Sequence, residues 1–319
     1  MALVDLDANA RSGLIDDRFV VARHHLGDDA TTSSLFTDAS IAALLDDYPP
    51  HLLFTLTMGT DPERMAENER LDHEGRSGAE ILEAVRKGRI WCNITNVDSV
   101  DGRFRTLTDQ LYREIAEEVV GFVGTETHAT LLVSSPNAMV YFHVDGPPSF
   151  LWHVRGHKRC WVYPALDESV LPRALLEDVF AGARQEYVPY LSQFDELAKT
   201  YDLGPGDVAM WPQNSPHRIT NQGDLNVSLV TDHYTADARR RARVYRANRF
   251  LRVKGHLPHH LLSTRPTGVE ALAKVAAHRV GQGLRLDDPI KKTHRPTTRR
   301  IDPTSPTGVS PIPDRPEAQ

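Results

Sequence analysis

Between residues 130 and 231 the chain breaks into short runs of β-branched and aromatic residues, each cut off by Pro, Gly or Asn before a helix could form. The spacing predicts strands at 130–134, 139–144, 150–154, 159–162, 208–211, 218–220 and 225–231. Strands this close leave no room for the helical crossovers that a parallel sheet requires, so they must pair as neighbours in a sandwich or rolled barrel. A single acidic stretch, 167–200, reads as a helical insertion between them.

The flanks have a different texture. Residues 1–125 read as an α/β layer, with strands near 19–22, 52–58 and 90–97 and helices at 38–47 and 107–120. Asp38 is the expected cap of the first helix. Ser77-Gly-Ala-Glu80 has the form of a capping box, with Ile81, Leu82 and Val85 as its apolar stripe. The polar stretch 61–76 reads as a mobile surface loop. The core spans 126–235, and a helical extension fills 236–285. Its first helix opens at Thr235 and stops at Gly255. Its second opens at a capping box, Thr267-Gly-Val-Glu270, and carries Val269, Leu272, Ala276 and Val280 on one face, a pattern suited to helix–helix packing. Residues 286–319, rich in Pro, Thr, Arg and Lys, read as a disordered tail.

Charge divides the chain. From Ala236 onward there are 18 Lys and Arg against 7 Asp and Glu, and before it 19 against 36. A basic tail on an acidic body implies docking on that body or on a twin subunit more readily than nucleic-acid contact, given an overall pI near 6.2. Two cysteines exclude a disulfide framework, and no apolar run approaches the ~20 residues of a membrane span. The N-terminus carries acids where a secretory signal carries positive charge, so a cytoplasmic protein without membrane contact is expected.

The chemistry lies in the strand-rich part. In Tyr141-Phe-His-Val-Asp145 an imidazole and a carboxylate stand two residues apart on a predicted strand, so both face the same way. They make two-thirds of a two-histidine, one-carboxylate metal site. With 15 histidines in the chain, such a pair also arises by chance, so the third ligand decides; His217, after Gly206-Asp207 and Pro212, is the leading candidate. On the run around Gly156, an extended chain would put Val154, Lys158, Cys160 and Val162 on one face. If that face is the inner one, Lys158 is its only charge and needs an anionic partner. A dicarboxylate chelating the metal at one end would supply it.

These residues together, His143-Val-Asp145, Pro148 through Gly156-His-Lys158-Arg, Gly206-Asp207, Pro212 and His217, resemble the JmjC/cupin-like Fe(II)- and 2-oxoglutarate-dependent oxygenases. The 15 positions from His143 to Lys158 are similar to the spacing in the asparaginyl hydroxylase of hypoxia-inducible factor, and the early segment resembles related bacterial cupin-like proteins. The resemblance covers most of 15–235. It implies a mainly β fold, a double-stranded β-helix (jelly-roll) core. It implies Fe(II) on His143, Asp145 and His217, with Lys158 on the distal carboxylate of 2-oxoglutarate. It further implies use of O2 to hydroxylate a protein, peptide or small-molecule substrate. Three positions depart from the family pattern: Val140 stands where a Thr is frequent, Ser149 where an Asn is frequent, and Tyr141 where many bacterial relatives have Pro. Ser149 and Ser228 are taken as further co-substrate contacts. A homodimer through the C-terminal helices is also implied. The competing expectations are a cupin that needs no 2-oxoglutarate, and a non-catalytic regulatory protein whose basic helix holds nucleic acid or a partner.

Overall fold

A computed structural model describes residues 2–183, 188–286 and 297–313. Among these residues the strands run in chain order β1 (Val4–Asp5), β2 (Val20–His24), β3 (Leu53–Thr57), β4 (Glu69–Asp72), β5 (Ile90–Ile94), β6 (Thr125–Ser134), β7 (Met139–His143), β8 (Ser149–Val162), β9 (Lys199–Leu203), β10 (Asp207–Trp211), β11 (His217–Tyr234), β12 (Arg299–Ile301) and β13 (Val309–Pro311). Four predicted strands prove to be two long ones: 150–154 and 159–162 merge into β8, and 218–220 and 225–231 into β11.

Both long strands bend, and the bends make the fold. The first half of β8 and the second half of β11 pair between β10 and β6, while their other halves pair between β9 and β7. Two antiparallel four-stranded layers result, sharing two strands and rolled face to face, which is the double-stranded β-helix. β8 turns at Gly156, whose φ of +83° favours glycine, and an added Cβ there would lie 2.7 Å from the Asn226 side chain. β11 turns around Gly223, also at φ +83°, with register shifts between Gln222 and Ser228.

Each bend reverses which alternate residues face inward. Leu151 before the bend and Cys160 and Val162 after it share one interior cluster with Ala209, Trp211 and Ile219. Val154 belongs instead to the larger core, with Phe150 and Trp152. The expectation that Val154 shares a face with Lys158 is therefore corrected: period-two alternation does not survive a left-handed glycine.

The N-terminal strands extend the first layer on both sides. β2 and β1 continue beyond β10; β5, β3 and β4 continue beyond β6. The large core lies between this sheet and helices that include Gly78–Lys87 and Gly102–Glu118. The Ser77 capping box is present, with both reciprocal bonds to Glu80. Thr37, not Asp38, caps the Asp38–Asp46 helix. The 61–76 stretch is not all loop, since β4 pairs with β3 and buries Leu71.

The insertion holds less helix than expected: one short helix, Arg173–Phe180, then a 3-10 turn, Ser192–Leu197, and β9. The basic helix Ala236–Lys254 lies against it. Arg252 pairs with the fully buried Glu177 at 2.7 Å, Arg249 with Asp178 at 2.8 Å, and Arg246 donates to the Phe180 carbonyl. Arg239 and Arg241 reach Glu126 and Asp17 of the acidic body. Four arginines of this helix are thus paired with acids elsewhere in the same chain.

Two C-terminal expectations are overturned. The last helix, Val269–Gly283, starts at Gly268 without a side-chain cap, because Glu270 accepts from the Ser263 amide and pairs with Lys274. Its inward face is Ala271, Lys274, His278 and Gly281, with Phe250 packed on Gly281, and the predicted stripe points outward: Val269, Leu272 and Val280 are 84%, 72% and 61% exposed. Part of the tail is ordered as well. β12 lies parallel to β4 and antiparallel to β13, and Glu69 accepts from the amide and hydroxyl of Thr298. Ile301 is fully buried, so one apolar anchor and one carboxylate hold a segment whose composition alone reads as disordered. Residues 287–296 and 314–319, also assigned to that tail, lie outside the described residues. Among the described residues no helix is long and apolar enough to cross a membrane.

Candidate metal centre

β7 ends at His143, and the chain turns at Asp145–Pro148 before entering β8. β11 begins at His217, which pairs with both His143 and Val162. The two imidazoles therefore enter from neighbouring strands, with ring centres 4.1 Å apart, and the carboxylate closes the triangle from the turn. His143 Nε2 lies 3.6 Å from Asp145 Oδ1, and His217 Nε2 lies 3.7 Å from Asp145 Oδ2. One ligand atom from each residue falls within 4.8 Å of the others. Donors about 2.1 Å from a common ion stand roughly 3 Å apart, so on a shared metal the two imidazole–carboxylate distances would shorten by about 0.6–0.7 Å.

The remaining ring nitrogens fix the tautomers. His143 Nδ1 faces the Tyr141 carbonyl at 2.8 Å, and His217 Nδ1 faces the Ser215 carbonyl at 3.0 Å. A carbonyl only accepts, so each Nδ1 carries the proton and each Nε2 presents a lone pair toward Asp145. Burial first, then repulsion from His143, pushes the His217 pKa down to about 4, with Asp145 opposing. The imidazole is neutral and ligand-ready at pH 7. The Trp211 ring leans on His217 at 4.8 Å.

Asp145 is held from three directions. The Ser149 hydroxyl donates to its carboxylate at 2.9 Å, the Asn214 amide donates to its backbone carbonyl at 3.2 Å, and Gln213 donates to the adjoining Gly146 carbonyl. Gln213 and Asn214 escape a reading based on ligand chemistry alone. The available signal is the turn Pro212-Gln-Asn-Ser-Pro216, in which Asn214 takes the left-handed conformation that asparagine tolerates better than most residues.

Lys158 faces the interior with Cys160 and Val162, opposite Asn221 of β11 and Leu203 of β9, and is 3% exposed. Among the described residues no carboxylate pairs with it, and burial lowers its pKa to about 8. Val162 stands opposite His217, so Lys158 is rooted four residues, or ~13 Å, farther along the same strand. A lysine stem and a five-carbon diacid together span such a gap. The His-Asp-His triangle, the apolar lining and the Lys158 ammonium are therefore brought into one barrel.

The two hydroxyls expected to touch a co-substrate are both present and both engaged. Ser149 serves Asp145, and Ser228 lies 2.9 Å from His153 Nδ1. His153 itself is completely buried.

No family model matches this sequence, and no curated protein does. Among solved structures, Escherichia coli ycfD aligns with a TM-score of 0.51 at 14% identity, over 88% of this chain and 69% of that one. Structures described as the Escherichia coli ribosomal oxygenase YcfD, and as YcfD in complex with cobalt and 2-oxoglutarate, align at TM-scores of 0.48 and 0.49. Each is 12% identical, over 88% of this chain and 68% of the other. At such identity the first of these likenesses speaks for the fold: this chain shares the architecture of ycfD.

Proposed function

We propose that this chain is an Fe(II)- and 2-oxoglutarate-dependent dioxygenase. It would hydroxylate a protein or peptide side chain, or a small metabolite, with O2 as oxidant and succinate and CO2 as co-products. The carrying observation is the pairing of an open His-Asp-His triangle with an unpaired buried ammonium in the same barrel. The residues present fit the implied groups. The Nε2 atoms of His143 and His217 with one carboxylate suit a ferrous ion, and among the described residues Lys158 has no anion that would justify its burial. Iron with 2-oxoglutarate and O2 supplies the oxidising chemistry when bound.

The chain's own part is placement. His143, His217 and Asp145 would hold the metal on one side and leave its other positions open. Ser149 keeps the Asp145 carboxylate turned toward the imidazoles. Lys158 would take the distal carboxylate, and a bound dianion would favour its charged form against the cost of burial. Leu151, Ala209, Ile219 and Val230 make the wall between them apolar, which excludes water from the reacting atoms.

The outward stripe on the last helix supports a homodimer formed through the C-terminal helices. The basic helix does not favour the regulatory reading, because five of its arginines are bound to groups of the same chain.

Anaerobic addition of 2-oxoglutarate to the Fe(II)-loaded protein should produce the weak visible charge-transfer absorption of the chelate. Lys158→Ala should weaken that titration while leaving iron affinity intact. Folded protein that binds iron but shows no band would overturn the 2-oxoglutarate assignment.

A further inference from the structure

Near enough to Lys158 to feel its charge, the barrel contains a second buried polar group with no place in the His-Asp-His triangle. His153 is wholly inaccessible, yet both its ring nitrogens are engaged. Nε2 lies 2.9 Å from the Gly156 carbonyl, and Nδ1 lies 2.9 Å from the Ser228 hydroxyl. The carbonyl can only accept, so Nε2 carries the proton and Nδ1 accepts from Ser228. The tautomer is fixed without reference to any ligand.

The two bonds fall at the two bends. Gly156 is where β8 turns, and its carbonyl belongs to the same peptide plane as the amide of His157. Anchoring that oxygen sets the direction in which the chain leaves the bend, and Lys158 is the next inward residue. Ser228 is the first residue beyond the register shifts of β11. The His153 backbone is itself tied down, its carbonyl accepting from His24 Nε2 at 3.0 Å and from the Gly206 amide at 2.9 Å. One imidazole thus joins both kinked strands at the level of the lysine.

We propose that His153 is a positioning residue: by holding the Gly156 peptide and the Ser228 hydroxyl, it aims Lys158 along the barrel toward the metal. This rests on the co-substrate assignment made above and assigns a residue to it. A corollary concerns Ser228. Its only proton is given to His153, so it offers a lone pair to the cavity and cannot donate to a carboxylate. With Ser149 likewise spent on Asp145, and Val140 bearing no hydroxyl, Lys158 carries the distal carboxylate without help from these three positions. Burial, reinforced by the neighbouring lysine charge, lowers the His153 pKa to about 3, so it remains a neutral strut.

The test compares wild type with His153→Ala, His153→Gln and Ser228→Ala. For each, Fe(II) affinity is measured first, and 2-oxoglutarate is then titrated anaerobically through the charge-transfer band. A glutamine can keep one acceptor and one donor near the original positions. His153→Ala should raise the 2-oxoglutarate Kd about tenfold with iron affinity within twofold of wild type. His153→Gln should recover most of that loss, and Ser228→Ala should cost no more than about threefold. A second readout needs no co-substrate. With 13C-labelled lysine, the Lys158 side-chain signal, assigned through Lys158→Arg, should move its titration midpoint in His153→Ala and return in His153→Gln. Absence of the band in iron-loaded wild type would overturn the co-substrate reading, while the lysine titration would still decide the placement of Lys158 by His153. Unchanged co-substrate affinity and an unchanged Lys158 midpoint in folded His153→Ala would overturn the positioning role. So would a glutamine variant as impaired as the alanine one. Should His153→Ala not fold, the Gln and Ser228→Ala variants decide: a tenfold loss in Ser228→Ala with unmoved Lys158 titration would make Ser228 a direct contact and refute the proposal.

Discussion

Ser149 donates its hydroxyl proton to the carboxylate of Asp145 across 2.9 Å, from the first residue of β8 to the turn that precedes it. The bond orients the proposed carboxylate ligand, whose side chain is a quarter exposed and otherwise free to rotate toward water. Ser149→Ala should lower Fe(II) affinity roughly tenfold, because groups behind a ligand typically govern metal affinity on that scale. Metal titration by calorimetry, with the unfolding midpoint as a control, checks this; an unchanged iron Kd would show that the imidazoles alone fix the carboxylate.

Buried neutral histidines set the acid limit of the fold. His24 accepts from the Leu26 amide and donates to the His153 carbonyl, and burial lowers its pKa to about 4 from an unfolded value near 6.5. Between those values the unfolded chain binds the proton and the folded chain does not, so stability is full above about pH 6.5 and falls as pH drops toward 4. The slope is about 1.4 kcal/mol per pH unit for each such imidazole. Thermal unfolding from pH 7 to pH 4.5 should show a steeper decline in wild type than in His24→Gln, and parallel curves would refute this account.

The salt bridge under the insertion is structural. Glu177 is fully buried and faces Arg252 at 2.7 Å and His259 at 3.3 Å. Arg252→Ala removes the stronger partner and leaves a carboxylate in the interior, an arrangement that costs about 3 kcal/mol. Urea unfolding should show that loss, and the double variant Arg252→Ala/Glu177→Gln should regain part of it. Equal stabilities of the two variants would mean that water reaches Glu177.

How much was legible in the sequence follows from what each residue depends on. His143 and Asp145 could be paired because they stand two residues apart, although β7 ends at His143 and Asp145 reaches the site from the turn, and the Ser77 capping box because four consecutive residues contain it. The two bends were visible only as glycines. Their consequence, a change of parity that moves Val154 out of the barrel and brings His153 in, depends on the positive φ of Gly156. Composition misjudged the 297–313 segment because its anchors, Glu69 and Leu71, lie more than two hundred residues away. The last helix shows the opposite error. Its apolar periodicity was real, but the packing choice between that stripe and Ala271/Gly281 was made by the bulk of Phe250, which fits only against a glycine.

The docked C-terminal segment should contribute measurably to stability. Ile301 is completely buried in the large core, and β12 hydrogen-bonds along β4. Ile301→Ala should destabilise by about 2–4 kcal/mol, the range for truncating a buried aliphatic side chain. Glu69→Ala should raise amide exchange across 298–301 before it affects β11. A truncation after residue 286 that unfolds at the same urea concentration as the full chain would refute this.

Val269, Leu272 and Val280 lie on a helix whose opposite face is already packed, with Leu284 at its C-cap, and their exposures run from 61% to 84%. A contiguous apolar surface of this kind is costly in water and is normally covered by a partner. Because a twofold interface uses the same patch on both subunits, one substitution changes it twice. Leu272→Glu and Val280→Glu should therefore convert a dimer to a monomer in sedimentation at micromolar concentration. The unfolding midpoint of the monomer should no longer depend on protein concentration, as that of an assembling chain does. The proposed metal ligands His143, Asp145 and His217 all come from one chain, so the monomeric variants should retain Fe(II) affinity. A wild type that sediments as a monomer at tens of micromolar would refute the dimer.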